Sequence, residues 1–291
     1  MQPGLVLIDK PEGWTSHDVV ARIRRVAGTR RVGHAGTLDP MATGLLVLGI
    51  ESATKLLTFI VGADKTYTAT IRLGASTITD DRESEFLEQA DAETVAAITD
   101  EQIHDGIAKL TGDIEQVPSS VSAIKVDGVR AYAKVRGGDE VKLKARPVSI
   151  SRFEVLGAIR RVEGFIDVDV VIDCSSGTYI RALARDLGAD LGLGGHLTAL
   201  RRTRVGGYTI EQASSLPEVG DALNVIDSFA AAKVFTQFEL TDQQVIDLRH
   251  GKRIDNPDRI KGDIAAVHDQ KLIAILESSG KQLKSQVVFN D

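Results

Sequence analysis

Residues 33–44 read GHAGTLDPMATG, and Asp39 is the one acid among them. A carboxylate followed by proline and flanked by Gly33, Gly36 and Gly44 could act as a nucleophile on a tight loop. On local grounds such a residue is more often a turn or capping residue, because an aspartate side chain readily bonds its own backbone two residues on. Local spacing leaves both roles open, since no base, cation or second carboxylate stands beside it. Other chemistries lack their signatures. The histidines at 17, 34, 104, 196, 250 and 268 are scattered and Cys174 is the single cysteine, so neither the spacing nor the donor set supports a zinc site, and no metal is expected. Neither G-x-S-x-G nor a Walker A sequence occurs, and the glycines around Asp39 lack the Lys-Ser/Thr ending of a phosphate-binding loop.

The elements that must carry Asp39 follow from hydrophobic periodicity. GLVLID at 4–9 reads as a short buried strand, and Ser16 is placed to cap a helix with Val19, Val20, Ile23 and Val26 on one face and Arg22 and Arg25 on the other. LLVLGI at 45–50 is a second buried strand. KTYTATIRLG at 65–74 alternates strictly, which puts Tyr67, Ala69, Ile71 and Leu73 on one face. Residues 75–104 are acidic and polar around DDRESE and read as a solvated excursion, with a helix at about 100–110. GFIDVDVVID at 164–173 alternates again, with Ile166, Val168, Val170 and Ile172 inward. A helix beginning at Ser175 to Gly177 follows, with Ile180, Leu183, Ala184 and Leu187 on its apolar stripe and Arg181 and Arg185 off it. After about residue 232 the sequence suggests a helix and a small set of strands.

The 291 residues, 43% hydrophobic and 26% charged, are ordinary for a globular protein with roughly two domains. No apolar run approaches a membrane span, and the N-terminus lacks the basic-then-apolar order of a signal peptide. With the lone cysteine, this leads us to expect a cytoplasmic protein. The net charge of -6 hides an asymmetry: residues 61–118 hold 4 basic and 13 acidic side chains, whereas residues 119–204 hold 15 and 10. The second segment could face a polyanion.

Five blocks occur in order: DKPEGWTS at 9–16, GHAGTLDPMATG, KTYTATIRLG, SAIKVDGVRAY at 122–132 and SSGTYIRALARDLG at 175–188. Together they closely resemble the bacterial tRNA pseudouridine synthase B (TruB) family across at least residues 4–204, and the tail is similar to a short PUA-like RNA-binding domain. The resemblance implies isomerisation of the uridine at position 55 in the T-loop of tRNA to pseudouridine, without metal or organic cofactor. It makes Asp39 the nucleophile. Attack on the sugar C1′, attack on uracil C6 and abstraction of a sugar proton all remain open. It also implies that Arg181 lies beside Asp39 and keeps it ionised against burial, and that Tyr67 stacks on the target base. Tyr179 and Leu200 would complete the base pocket. His34 would enter the T-loop and fill the space of the extruded nucleotide, offsetting unstacking, while Lys10 would support the active-site loop or the RNA backbone.

Residues 117–148, read as a strand, a short helix and an extended basic arm, correspond in the family to an insertion that grips RNA. Lys125, Arg130, Lys134, Arg136, Lys142, Lys144 and Arg146 are its candidate phosphate contacts. Val121 departs from the family pattern, which commonly has an aromatic there. The expected fold is α+β: a pseudouridine synthase fold with a central, largely antiparallel mixed sheet flanked by helices, over residues 1–232, and a small β-rich PUA-like domain over 233–291. The expected partner is the T-stem–loop of tRNA, bound by a monomer with no membrane association and no obligate protein partner. A different class of reading is an RNA-binding protein that helps tRNA fold without chemistry. A phosphoryl-transfer role for Asp39 has no nucleotide or Mg²⁺ motif beside it.

Overall fold

The structure is a computed structural model and describes residues 2–119, 125, 126, 129, 130 and 143–289. The chain is α+β, and its strand pairings are mostly antiparallel. It forms two compact units that do not follow chain order. The first comprises Met1–Pro40, Gly44–Gly62 and Val205–Asp291, and the second Met41–Thr43 and Ala63–Arg204.

In the first unit, strand β1 (Gly4–Lys10) pairs antiparallel with β3 (Thr43–Ile50), in a register that sets Lys10 opposite Gly44. Its other edge takes Ser214–Ser215 in parallel and Ile226–Asp227 antiparallel. Helix α1 (Ser16–Ala27) buries Val19, Val20 and Ile23 against Val6, Ile8, Leu46 and Leu48. The cap is Thr15, not Ser16: Thr15 and Asp18 form a reciprocal capping box, and Ser16 is the first helical residue and buried. Strand β2 (Val32–His34) pairs with β3, His34 opposite Leu48.

Residues 236–288 of the same unit form a five-stranded sheet with its own apolar cluster around Leu248, Ile264, Leu276 and Leu283, and helix Asp242–Arg249 packs on it. Ala265, Val267, Leu272, Ile275 and Phe289 pack instead in one cluster with Leu5, Leu7, Leu45 and Val47. Opposite faces of adjacent positions thus serve two cores, as the period of two in a strand requires.

In the second unit, strand β4 (Lys65–Leu73) lies between Gly195–Val205 and Phe165–Cys174, and the order continues through Arg146–Val155 to Gly112–Gln116. The alternation in β4 is complete: positions 65, 67, 69, 71 and 73 are buried, so Lys65 joins the apolar face. The helix expected from Ser175 to Gly177 begins later, at Ile180, and runs to Asp190. Residues 175–179 instead make a turn in which Thr178 Oγ1 donates to the Ser175 carbonyl and Ser175 Oγ accepts the Ser149 N–H. The helix expected at 100–110 spans Asp100–Lys109.

The acidic stretch is not simply a solvated excursion. Thr77, Asp80 and Asp81 are buried, Asp80 accepts the Leu197 N–H on its carbonyl, and Ala75–Thr77 pairs with Phe86–Gln89. The arginine partners of the two aspartates, Arg185 for Asp80 and Arg181 for Asp81, lie about a hundred residues downstream, beyond the reach of a local reading. Within the basic arm, Lys125–Val126 pairs with Val129–Arg130, and Lys144 and Arg146 are exposed. Val121, Lys134, Arg136 and Lys142 lie outside the described residues.

Candidate active site

The loop that carries Asp39 is held from below by the segment 10–16. Ser16 Oγ accepts the Leu38 N–H at 2.8 Å and donates to the Leu38 carbonyl at 3.1 Å. On the other side of Asp39, the Pro40 carbonyl accepts from the Gly13 N–H at 2.9 Å and from the Lys10 ammonium at 3.3 Å. Lys10 is fully buried, and its Nζ also donates to the carbonyls of Trp14 at 2.6 Å and Pro11 at 3.0 Å. A buried ammonium needs such partners, because an uncompensated charge in a dry site is costly. Lys10 thus supports the loop that carries Asp39. Gly36 and Gly44 bracket the loop at φ +90° and +100°, a region that L side chains rarely enter. Both neighbours of Asp39 are therefore fixed, and the carboxylate projects from a braced backbone.

His34, the last residue of β2, is half-buried. Its ring meets that of His17 edge-on, centroids 5.9 Å apart at 76°. Asp39, Lys10 and His34 all belong to the first unit.

Tyr67, Tyr179, Arg181 and Leu200 belong to the second. Tyr67 sits on the inward face of β4 opposite Ile172, 7% exposed, and Leu200 is buried on Gly195–Val205. Tyr179 is the cap residue of helix Ile180–Asp190 and is gripped at two points by the buried Gln116: Oε1 accepts its N–H at 2.8 Å and Nε2 donates to its carbonyl at 3.1 Å. Gln116 therefore sets where that helix begins, a role that no pattern around residue 116 announces.

Arg181, placed off the apolar stripe by the sequence reading, is only 4% exposed. Its Nη1 donates to the Thr79 carbonyl at 2.6 Å and to Ser119 Oγ at 3.3 Å, and lies 3.5 Å from Asp81 Oδ2. Asp81, 2% exposed, also accepts from Thr79 Oγ1 at 2.5 Å and the Glu83 N–H at 3.0 Å. One turn along, Arg185 meets Asp80 at 3.4 Å and donates to the Val117 carbonyl at 2.7 Å. Burial pushes the Asp80 carboxyl up from its ordinary range, with Arg185 and Ser119 opposing that shift. The two arginines and two aspartates, of which only Arg185 is half-buried, form a set that orients the first turns of the helix. Among the described residues, no three His, Cys, Asp or Glu side chains gather as a metal site would require, and no helix is long and apolar enough to cross a membrane.

The chain is similar to known proteins over most of its length. Residues 24–180 match the profile of the TruB family pseudouridylate synthase N-terminal domain. Residues 181–245 match the tRNA pseudouridylate synthase B C-terminal domain, and 235–290 the tRNA pseudouridine synthase II C-terminal domain. The chain is 56% identical to a tRNA pseudouridine synthase B of Paenarthrobacter aurescens, over 99% of this chain and 96% of the relative. It is 57% identical to that of Leifsonia xyli, over 98% and 96%, and 51% identical to that of Corynebacterium diphtheriae, over 96% and 94%. In fold it resembles the crystal structure of a Cbf5-Nop10-Gar1 complex, with a TM-score of 0.71 at 23% identity over 98% of this chain and 84% of that one.

Proposed function

The chain belongs to the TruB family of pseudouridylate synthases, and from that premise we propose that it isomerises uridine 55 in the T-loop of tRNA to pseudouridine, with Asp39 as the nucleophile. The relatives are named as synthases acting on tRNA, which favours this isomerase over a protein that binds RNA without chemistry.

In the reaction the bond from C1′ to uracil N1 breaks and a bond from C1′ to C5 forms. N1 gains a proton and C5 loses one, so nothing is consumed. The base must leave its stack, detach, turn and reattach within one enclosure. Asp39 supplies the carboxylate for this exchange. The observation that carries the assignment is the bracing of Leu38 by Ser16 and of Pro40 by Lys10 and Gly13, because a nucleophile that must meet a single atom gains from a fixed backbone. Arg181 acts with that carboxylate in the reaction. Tyr67 stacks on the base and Tyr179 and Leu200 bound it, while His34 takes the place of the flipped nucleotide.

The exposed Lys144 and Arg146, with Lys125, Arg130, Lys134, Arg136 and Lys142, contact phosphates of the T-stem, and residues 233–291 form a PUA-like module that extends the RNA surface. The protein acts in the cytoplasm as a monomer, without metal, cofactor or obligate protein partner. Tritium release from a T-stem–loop carrying C5-labelled uridine tests the central claim. Asp39→Asn should lower the release rate by at least about 10³-fold while the variant still binds the RNA. Release at the wild-type rate by that variant would remove Asp39 from the chemistry.

A further inference from the structure

His17 belongs to none of the roles above, yet it is the exposed side chain that meets His34. The two rings stand edge to face, 5.9 Å between centroids. The backbone beneath His17 is unusually well fixed for a surface position. The preceding residue, Ser16, is buried and bonded to both polar atoms of the Leu38 backbone. The following residue, Asp18, closes the capping box with Thr15: its carboxylate accepts the Thr15 N–H at 3.0 Å and its own N–H donates to Thr15 Oγ1 at 3.1 Å. Val19 and Val20 then bury the helix face. An exposed ring on so rigid a turn has a defined direction, and ordering it at binding costs little further freedom.

We propose that His17 is a positioning residue for RNA recognition: its ring sets the orientation in which His34 meets the nucleotide strand. The proposal rests on the reading of His34 as the side chain that enters the T-loop. An imidazole at the end of a short strand has two-fold freedom about its outer torsion, and an edge-to-face neighbour selects one plane over the other. The same turn, through Ser16, holds the residue before Asp39. RNA contact and nucleophile are thus referred to one rigid piece of backbone.

The test is a double-mutant cycle on the full chain, with a T-stem–loop RNA and both affinity and turnover measured. His17→Ala should weaken binding about 3- to 10-fold, the range that one aromatic pair spans, with the loss in KM rather than kcat. In a His34→Ala background the same change should cost nothing more, and His17→Phe, which keeps a ring edge but no charge, should restore most of the affinity. Unchanged thermal unfolding of His17→Ala would show that the turn remains folded. If His34→Ala weakens binding and His17→Ala does not, or if the two losses add, the proposal is wrong and the reading of His34 stands. If His34→Ala itself binds normally, both fall.

Discussion

Lys65 stands on the buried face of β4, two residues from Tyr67, with Cys174 as its cross-strand partner. Burial, helped by the nearby Arg202, holds the Lys65 ammonium down at about 8, against 10.5 for an ordinary lysine. Between those values the unfolded chain binds a proton that the folded one has released, so stability rises with pH through this window. Cys174 acts in the opposite direction, because burial pushes its thiol up to about 11 from 9.0 and stability falls as pH rises between those two values. In the interval from pH 8 to 9 the lysine dominates, with the thiol offsetting part of its effect. Unfolding free energy from urea titration should increase across it by up to about 1 kcal/mol, and Lys65→Met should flatten the slope and raise stability at pH 7. At this scale the sequence conveyed residue type but not surroundings. Arg181 looks like a solvent-facing charge in a local pattern, and only distant partners bury it.

The helix Ile180–Asp190 shows how one element is located. Gln116 fixes its start at Tyr179, Asp81 and Asp80 hold Arg181 and Arg185, and its far end passes against the backbone of Gly194 and Gly195. A Cβ on Gly188 would come within 2.2 Å of that backbone, which has no flexible end to give way. Gly188→Ala should therefore cost at least about 2 kcal/mol, read as a lower urea midpoint with an unchanged m-value. Strands that alternate were legible from residue order, since β4 and Phe165–Cys174 bury the faces that the pattern assigns them. Two of the helix starts were not. Thr15 displaced Ser16 as cap because Ser16 is engaged by Leu38, and Ile180 displaced Ser175 because Ser175 and Thr178 bond within a turn. The role proposed for Asp39 comes only from resemblance, because the supports of its loop, Lys10 and Ser16, lie more than twenty residues away.

For the whole molecule, chain order is a poor guide to compactness. Phe289 and Leu272 share a core with Leu5 and Leu7, and Lys55 donates to the Val288 carbonyl at 2.9 Å while its ammonium sits over the Phe289 ring. A chain ending at residue 232 should thus lose more than RNA affinity. Its thermal unfolding midpoint should fall by more than about 5 °C, whereas a tail that served binding alone would leave the midpoint unchanged. The same interleaving has a consequence during synthesis. The strand pairs at 214–215 and 226–227 complete the edge of β1, so the part of the chain that bears Asp39 waits for roughly 190 further residues, about 10 to 40 s of translation. Residues 63–204 can collapse on the ribosome meanwhile. The segment that bears Asp39 then acquires the rest of its unit last, and a chain stalled before residue 214 would leave one edge of β1 without its strands.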